Sequence, residues 1–424
     1  MRKLAVFLLL VLVIMTSVLA SKVTLTVWCD GAEAPTDIEL AIQLFEKDFP
    51  DVEVKLTRYA CDPYKTKLDV AMASGELPDI FMTWGGGMLR EYIDAGRVAP
   101  LSEDMVSWMK ATVIPATLDE VYYKGKYWGV PFNNIIVGDF FWYRKDIFEK
   151  HGLTPPKTWE ELISLARKLK SLGYIPIALA NKTKWPADHF FATLAARVCG
   201  YDVAKEILDG KRSWQDPLMM KTLKKLEELI KLGAFPPGVN GLDFNLAQGR
   251  VLVYTDKSPM IPELSFMYAL IHSERPDLSD KIDFFPFPIV EEGKGDPREL
   301  VGIVGDWFFS ISNSSPHKEI AERFLRYLLD PRVVQYKVEH NTFPPVIGLE
   351  ARVEDPILKR VMKILGESPH VQHCWDTYLP PELAQVYLDT LQKFFDLKIT
   401  PEEFAKTMDD AYERYKKRHP EFGK

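Results

Sequence analysis

The sequence has little cysteine and no excess of positive charge, and both deficits narrow the range of its functions. Its four cysteines are Cys29, Cys61, Cys199 and Cys374, and their spacing does not match a metal finger. Acidic residues outnumber basic ones, 60 to 53. Because nucleic acid requires clustered Lys and Arg, no nucleic-acid partner is expected. We also expect no metal and no cofactor.

Long apolar runs are absent beyond the first twenty residues. Within that segment, two basic residues precede an apolar run from Leu4 to Met15, and Val18 and Ala20 supply the small residues of a cleavage site. A membrane-spanning helix needs about 20 apolar residues, and this run is shorter. We therefore expect residues 1–20 to be a signal peptide, and the mature chain to be exported, soluble and periplasmic or extracellular. A membrane anchor is the competing interpretation.

The length of the chain and its alternation of strands and helices predict a two-lobe α/β protein. A mature chain of about 400 residues is too long for one ordinary hydrophobic core. Strand-like apolar runs occur at Val23–Trp28, Val52–Tyr59 and Asp79–Thr83, and amphipathic helices fit the intervals between them. Elements that alternate in this way form a mostly parallel sheet covered by helices on both faces.

A second α/β unit is predicted from Phe140 onward. Phe140–Tyr143 has the composition of a buried strand. Thr158 followed by Glu161 forms a capping box, which starts a helix that runs from Trp159 to Leu172. Four further strands are predicted, at Ile175–Ala180, Val251–Tyr254, Ile282–Phe285 and Val301–Ile311.

Several sequence blocks resemble those of a known family. They are Ser-Gly-Glu-Leu-Pro-Asp-Ile-Phe at 74–81, Lys-Gly-Lys-Tyr-Trp-Gly-Val-Pro at 124–131, Tyr-Arg-Lys-Asp-Ile-Phe at 143–148, Thr-Trp-Glu-Glu-Leu at 158–162, and Phe244 with Gly249. Each block is weak alone, but their order along nearly the whole mature chain is specific. The chain resembles the extracellular solute-binding proteins of sugar ABC importers, the maltose-binding-protein-like family 1.

This resemblance implies the type II periplasmic-binding-protein fold, in which each lobe is a mostly parallel sheet flanked by helices. It implies an N-terminal lobe of residues 21–133 plus 288–342, a C-terminal lobe of residues 134–287 plus 343–424, and a cleft at the hinge between them. The implied function is hinge closure on a neutral sugar, sugar alcohol or short oligosaccharide, followed by delivery to ABC permease subunits. Such a protein is not an enzyme, and we expect the mature chain to be a monomer.

Candidate ligand-binding residues follow from the chemistry of sugars and from the positions of strand ends. The C–H face of a sugar stacks on aromatic rings, and its hydroxyls need both donors and acceptors. In parallel sheets, ligands bind beyond the carboxyl ends of the strands. The candidates are Trp28, Asp30, Glu33, Trp84, Asn133, Asn134, Trp185, Asp188, His189, Asp256, Asp306, Trp307 and Trp375.

For most of these candidates a structural role competes with ligand binding. The resemblance implies ligand contacts near Trp28, a stacking ring at Trp84 and a further ring at Trp375. Asp188 is also a suitable helix cap, and Asp306 is a suitable hydrogen-bond anchor within an apolar strand. The two asparagines are also ordinary turn residues.

Two questions stay open at the level of sequence. Cys29 and Cys61 each follow a strand-like run, so they meet at one sheet edge if those strands are parallel neighbours; a disulfide and two free thiols are equal alternatives. The rival function is a secreted carbohydrate-active hydrolase, because paired carboxylates near aromatic rings also suit glycosidic cleavage. An exported adaptor that presents ligand to a receptor would have the same cleft as an importer component.

Overall fold

The structure is a computed structural model that describes residues 22–31, 37–132, 135–138, 140–304 and 307–419. Its strands are β1 (Val23–Asp30), β2 (Val52–Tyr59), β3 (Ile80–Thr83), β4 (Val98–Ala99), β5 (Tyr122–Tyr123), β6 (Lys126–Tyr127), β7 (Val130–Pro131), β8 (Ile135–Val137), β9 (Phe140–Arg144), β10 (Met260–Glu263), β11 (Ile282–Pro286), β12 (Leu300–Val304), β13 (Phe308–Ser312) and β14 (Val371–His373).

The helices alternate with these strands in the first half of the chain and dominate the second half. They are α1 (Asp37–Asp48), α2 (Cys61–Ser74), α3 (Gly86–Asp94), α4 (Glu103–Thr112), α5 (Lys145–Lys150), α6 (Trp159–Ser171), α7 (Trp185–Cys199), α8 (Val203–Leu208), α9 (Pro217–Leu232), α10 (Gln248–Tyr254), α11 (Phe266–Glu274), α12 (Lys318–Tyr327), α13 (Pro331–Glu339), α14 (Pro356–Glu367), α15 (Trp375–Tyr378), α16 (Pro381–Phe395) and α17 (Pro401–Arg418). Across the described ranges, no helix has the length and apolar character needed to cross a membrane.

The first sheet combines the early strands with one strand from later in the chain. Its order is β2-β1-β3-β13-β4, and β7 also pairs with β13. β1 runs parallel to β2 and β3, whereas β13 is antiparallel to its neighbours. Leu25 and Val27 alternate on the buried face of β1 with no exposed surface. Trp28 pairs with Phe81, so the carboxyl ends of β1 and β3 lie side by side.

The second sheet has the order β10-β9-β11, and both outer strands are antiparallel to β9. The expectation of a mostly parallel sheet is therefore wrong for these strands. The partners of β9 come from more than 100 residues further along the chain. They are not joined to it by a short strand-helix-strand crossover, which is the connection that enforces parallel pairing.

A third small sheet, β14-β12-β8, carries the chain between the other two. The chain leaves the first sheet at β7, passes through β8 and enters the second sheet at β9. It returns from β11 through β12 to β13, which rejoins the first sheet. These strands are the crossings between the two larger sheets, so they occupy the position of a hinge.

The aromatic run of β9 divides between two hydrophobic cores. Phe140 and Trp142 point to one side of the sheet, and Phe141 and Tyr143 point to the other, as strand alternation requires. On the second side, Phe141 stacks on Phe285 with a centroid distance of 5.1 Å and an interplanar angle of 3°. The strand is thus covered on both faces, which explains its unbroken apolar sequence.

Several local predictions are confirmed, and three strand predictions are wrong. The capping box of Thr158 and Glu161 forms at the start of α6. Val251–Tyr254 lies in helix α10, where Arg250 pairs with Glu274 at 2.6 Å, so tertiary contacts override the β-branched composition. The predicted strand at Val301–Ile311 is two strands, β12 and β13, in different sheets. Ile175–Ala180 forms no strand, although Ile177 and Ala178 donate backbone hydrogen bonds.

Candidate functional site

The first wall of the site lies at the carboxyl ends of β1 and β3. Asp30 ends β1 and Trp84 follows β3, so these neighbouring parallel strands bring both side chains to one sheet edge. Only 6% of Asp30 and 5% of Trp84 are exposed. The Trp84 ring packs against Tyr64 with a centroid distance of 5.8 Å. The wall therefore combines a fixed aromatic ring with a carboxyl group.

Lys65, on α2, is the cation of this wall. Its Nζ lies 5.0 Å from the centroid of the Trp84 ring. Burial lowers the pKa of Lys65, but the acidic groups around it, chiefly Cys61 and Asp376, outweigh burial and raise its pKa above the usual value. Lys65 is therefore charged at neutral pH and is a fixed hydrogen-bond donor next to an aromatic face.

The pKa of the Asp30 carboxyl group lies near neutral pH. Burial raises the pKa of Asp30 to about 7, although a hydrogen bond with the Cys61 side chain and the charge of Lys65 oppose the rise. At neutral pH the carboxyl group is therefore populated in both protonation states. The neutral form can donate a hydrogen bond and the ionised form can only accept one.

The second wall is formed by the first turn of α7, which carries Trp185, Asp188 and His189. Asp188 has no exposed surface. The Tyr387 hydroxyl donates to its Oδ1 at 2.7 Å, and the backbone N–H of Asp376 donates to its Oδ2 at 3.1 Å. Burial, followed by the charge of Asp376, raises the pKa of Asp188 to about 7. Asp188 therefore positions other groups with both of its oxygens.

His189 is held by Glu263, the last residue of β10. Its Nδ1 lies 2.7 Å from Glu263 Oε1, and the two residues are 5% and 1% exposed. Burial lowers the pKa of His189, but contacts with Cys374 and Glu263 outweigh burial and raise its pKa well above 6.5. His189 and Glu263 are therefore a buried ion pair at neutral pH.

Aromatic rings complete the second wall. Trp185 lies 4.3 Å from Phe244 and 5.0 Å from His189 by ring centroid, and it is 9% exposed. Its Nε1 is buried, and the described residues offer it no hydrogen-bond partner. An unpaired indole N–H in a wall of this kind can donate to a ligand.

The two walls touch across the cleft. Asn245 Nδ2 of the second wall donates to Asp62 Oδ2 of the first at 2.8 Å. Lys65 Nζ of the first wall lies 4.0 Å from Asp376 Oδ2 of the second. These contacts join the strand-end residues of one sheet to the helix-start residues beside the other, so the cleft is closed.

The sequence matches a known protein family over most of its length. The family model for bacterial extracellular solute-binding proteins matches residues 30–335. The chain belongs to this family. An ABC transporter extracellular-binding protein of Pyrococcus horikoshii is 26% identical to it, over 84% of this chain and 77% of the relative. The multiple sugar-binding protein of Streptococcus mutans is 25% identical over 88% of this chain and 90% of the relative.

Solved structures share the whole fold. A protein from a study of xylan utilization by the thermophilic bacterium Caldanaerobius polysaccharolyticus is 30% identical, with a TM-score of 0.83 over 92% of this chain and 99% of the other. A chitin oligosaccharide binding protein is 23% identical, with a TM-score of 0.84 over 93% and 99%. The predicted two-lobe solute-binding-protein fold is confirmed.

Two of the predicted ligand-binding residues lie away from the cleft walls. Trp375 has no exposed surface, because its ring packs in the second core against Trp214 at 5.5 Å and Tyr387 at 5.6 Å. Asp256 follows α10 with an exposed side chain and pairs with Arg144 at 2.6 Å. The structure therefore gives Trp375 a packing role and gives Asp256 an ion pair with the buried Arg144.

Of the remaining predicted residues, Trp28 and Trp307 are described by the structure and four others are not. Trp28 is half-buried on the same face of β1 as Asp30, 5.9 Å from the Tyr59 ring and below Lys67 at 4.9 Å. Trp307 is 8% exposed and has a φ of 60°, a left-handed conformation that is strained for a bulky residue. Four candidates lie outside the described residues, namely Glu33, Asn133, Asn134 and Asp306.

The structure has Cys29 and Cys61 as free thiols and not as the disulfide alternative. The two strands are parallel neighbours, as that alternative required. However, Cys29 lies in register with Arg58, and Cys61 makes a hydrogen bond with Asp30, the next residue after Cys29. Adjacent residues of a strand point to opposite faces, so the two thiols are on different sides of the sheet.

A metal ion fits the cluster of Asp188, His189 and Asp376 poorly. Asp188, His189 and Asp376 have ligand atoms within 4.8 Å of one another. However, both oxygens of Asp188 already accept hydrogen bonds, and His189 is protonated and bound to Glu263. A structural zinc site needs four ligands and deprotonated imidazole, and this set does not supply them.

Five polar residues of the walls were not among the predicted candidates. Asp62 and Lys65 follow β2, so the same strand-end argument would have found them. Asn245 stands beside Phe244, a residue of the family blocks, and Asp376 stands beside Trp375. Nothing in the local sequence identifies Glu263 as a wall residue, because its partner His189 is 74 residues away in the sequence.

Replacing Asp30 with asparagine is expected to make the unfolding free energy less dependent on pH. The raised pKa means that the folded protein holds a proton between pH 4 and pH 7 that the unfolded chain has lost, so stability falls as pH rises through that window. A shift of about three units should cost the wild type about 2–3 kcal/mol between pH 5 and pH 8 relative to Asp30→Asn. Urea unfolding at both pH values measures this difference.

The control for that experiment is Asp209→Asn. Hydrogen bonds from Lys205 and Lys211 lower the pKa of Asp209, so its linkage to stability lies below pH 4. It should therefore leave the difference between pH 5 and pH 8 unchanged. Identical pH slopes for the wild type and Asp30→Asn would contradict the assignment of a neutral buried carboxyl group at position 30.

Proposed function

We propose that this chain captures a neutral sugar, sugar alcohol or short oligosaccharide outside the cytoplasmic membrane and delivers it to an ABC permease. One observation carries the proposal: two walls in contact, each of which combines an aromatic ring with hydrogen-bonding groups. Trp84 and Lys65 form this pair on the first wall, and Trp185 and Asp376 form it on the second. A sugar presents an apolar C–H face and hydroxyl edges, which match these two kinds of surface.

The names of relatives support the ligand class. The Streptococcus mutans relative is a multiple sugar-binding protein, and a Bacillus subtilis relative binds melibiose, raffinose and stachyose by its name. A Bacillus licheniformis sugar transporter structure with a TM-score of 0.71 was solved in complex with stachyose. These ligands range in size, so they support a carbohydrate and do not select one.

Ligand capture would proceed by closure of two lobes about the crossing strands. The lobes are residues 21–133 plus 288–342 and residues 134–287 plus 343–424. Bonds such as Asn245 to Asp62 join the walls only when the cleft is closed. A ligand that contacts both walls would stabilise that state, because a ligand shifts an equilibrium only through its different affinity for the two conformations.

The charges of the walls disfavour an anionic ligand. The carboxyl groups of Asp30, Asp62 and Asp376 act on Lys65, and the buried Asp188 lies against Asp376. The carboxyl groups of the walls would repel an additional carboxylate or sulfate group. Tight binding of galacturonate or sulfate would therefore count against this site.

Binding without chemical turnover is the proposed activity. Asp30 and Asp62 lie on the first wall and Asp188 and Asp376 lie on the second, and both oxygens of Asp188 already accept hydrogen bonds from other groups of the protein. A hydrolase needs two carboxyl groups held at a fixed separation across the scissile bond. The proposal also includes removal of residues 1–20 on export and a monomeric mature chain.

The test is a thermal-shift and tryptophan-fluorescence screen of the mature protein after unfolding in guanidinium and refolding, which removes bound host sugars. The panel contains galactose, maltose, melibiose, raffinose, xylobiose, xylotriose, diacetylchitobiose, sorbitol and glycerol, with galacturonate and sulfate as anionic controls. A sugar at about 100 times its dissociation constant should stabilise the protein by about 2.7 kcal/mol, which raises the melting temperature by several degrees. The expected result is one chemically related group of neutral hits.

Two outcomes would overturn the proposal. Recovery of the hit sugar in cleaved form, by chromatography after overnight incubation, would establish a hydrolase. No stabilisation by any neutral member of the panel, together with binding of an anion, would assign the cleft to a different ligand class.

A further inference from the structure

Asp376 is placed at the cleft by the second core. Its neighbour Trp375 is locked between Trp214 and Tyr387, with no exposed surface. The backbone N–H of Asp376 also donates to Asp188 Oδ2 at 3.1 Å. The main chain at this position is therefore fixed from two sides, and the side chain projects from a rigid support.

The carboxyl group of Asp376 is buried but incompletely bonded. Only 6% of the side chain is exposed, and its Oδ1 has no hydrogen-bond partner within the described part of the chain. Its Oδ2 faces Lys65 Nζ at 4.0 Å, which is longer than a hydrogen bond. A buried carboxylate oxygen without a donor is costly, and native proteins leave few such groups unpaired. Each one therefore indicates a missing donor.

The chemistry around this carboxyl group selects the missing partner. Lys65 lies on the opposite wall and can only donate, whereas Asp376 can only accept when ionised. A group that lies between them must accept from one and donate to the other. A hydroxyl does both, whereas a metal ion or an ammonium group cannot accept from Lys65, and a carboxylate or sulfate group cannot donate to Asp376. Trp185 Nε1 is a second unpaired donor on the same wall.

We propose that Asp376 and Lys65 recognise one hydroxyl of the ligand from opposite walls, with Asp376 accepting its hydrogen bond and Lys65 donating to its oxygen. The inference rests on the proposed function and adds to it a specificity-determining pair. It also gives closure a chemical trigger, because the hydroxyl bridges a gap that the two side chains do not close alone. The ligand class is a neutral polyhydroxyl compound.

The test compares Asp376→Asn, Lys65→Met and the double variant with the wild type. The probe is the neutral panel sugar that gives the largest melting shift with the wild-type protein, titrated by calorimetry. We expect each single variant to weaken binding at least tenfold, and the double variant to weaken it by less than the product of the two effects. Asp209→Asn is the matched control, an acid paired with lysines on the surface, and should bind as the wild type does.

A measurement without ligand separates recognition from a structural role. Asp376→Asn removes the repulsion between Asp376 and the buried Asp188, so the ligand-free melting temperature should stay unchanged or rise by a few degrees while sugar affinity falls. Asp376→Asn that binds the sugar within twofold of the wild type overturns this inference and leaves the proposed function intact. Asp376→Asn that lowers the ligand-free melting temperature by more than five degrees gives the residue a structural role instead. If the wild-type protein binds none of the panel sugars, both this inference and the proposed function are overturned.

Discussion

Replacing Glu263 with alanine is expected to lower the free energy of unfolding by about 3–5 kcal/mol at pH 6, because the variant leaves a buried imidazolium without its partner. Glu263 Oε1 lies 2.7 Å from His189 Nδ1 and also accepts a hydrogen bond from the backbone N–H of Leu264 at 3.0 Å. The substitution therefore removes a charge and leaves two buried donors unpaired. Glu263→Gln keeps the volume and an acceptor, so it should lose about half as much.

The effect of Glu263→Ala should depend on pH. A histidine whose pKa is raised by folding stabilises the protein below its unfolded pKa, and that contribution disappears as pH rises through its folded pKa. The difference between wild type and variant should thus be larger at pH 6 than at pH 9, as measured by urea unfolding. Glu227→Ala, which breaks the surface pair with Lys231, should cost less than about 1 kcal/mol at both pH values. A loss for Glu263→Ala that is equally small or independent of pH would refute the buried ion pair.

The sequence contained the local part of the fold. Period-two and helical patterns located β1, β2 and β3, and the capping box at Thr158 located the start of α6, because these features depend on neighbouring residues alone. The strand-end rule selected Asp30 and Trp84 as separate candidates, and the structure places them at one sheet edge because β1 and β3 are parallel neighbours. Their role in ligand binding stays a prediction.

What the sequence could not supply was the set of contacts between distant segments. Nothing in the local sequence distinguishes Trp375 from Trp84 as a candidate stacking ring. In the structure, however, residues from α7 and α16 enclose Trp375 completely. Helix α10 contains the β-branched Val251 and Val253, and its Arg250 pairs with the distant Glu274 at 2.6 Å. The second wall depends on such contacts more than the first, since Glu263 and Asp376 reach the site from opposite ends of the second half of the chain.

Replacing Trp84 with alanine is expected to weaken sugar binding by about 2–3 kcal/mol, a loss of roughly 30- to 150-fold in affinity. The sugar is the neutral member of the panel that gives the largest melting shift with the wild-type protein. The reason is geometric. The ring is fixed at the sheet edge by Tyr64, whose hydroxyl donates to the Met82 carbonyl at 2.7 Å, and Lys65 lies 5.0 Å from the ring centroid. A preorganised ring loses little entropy when a sugar stacks on it, so most of the apolar contact appears as affinity.

Two further variants show whether the stacking face of Trp84 is responsible. Trp84→Phe keeps an aromatic face of smaller area and should lose about fivefold, since part of the contact survives. Trp108→Ala removes a tryptophan from α4 of the same lobe, where the ring packs under Arg326 away from the cleft walls, and should leave affinity unchanged. Calorimetric titration well below the melting temperature of each variant keeps the comparison free of unfolding. Trp84→Ala that binds the sugar within twofold of Trp108→Ala would remove Trp84 from the site and place the stacking surface on the wall of Trp185 and Phe244.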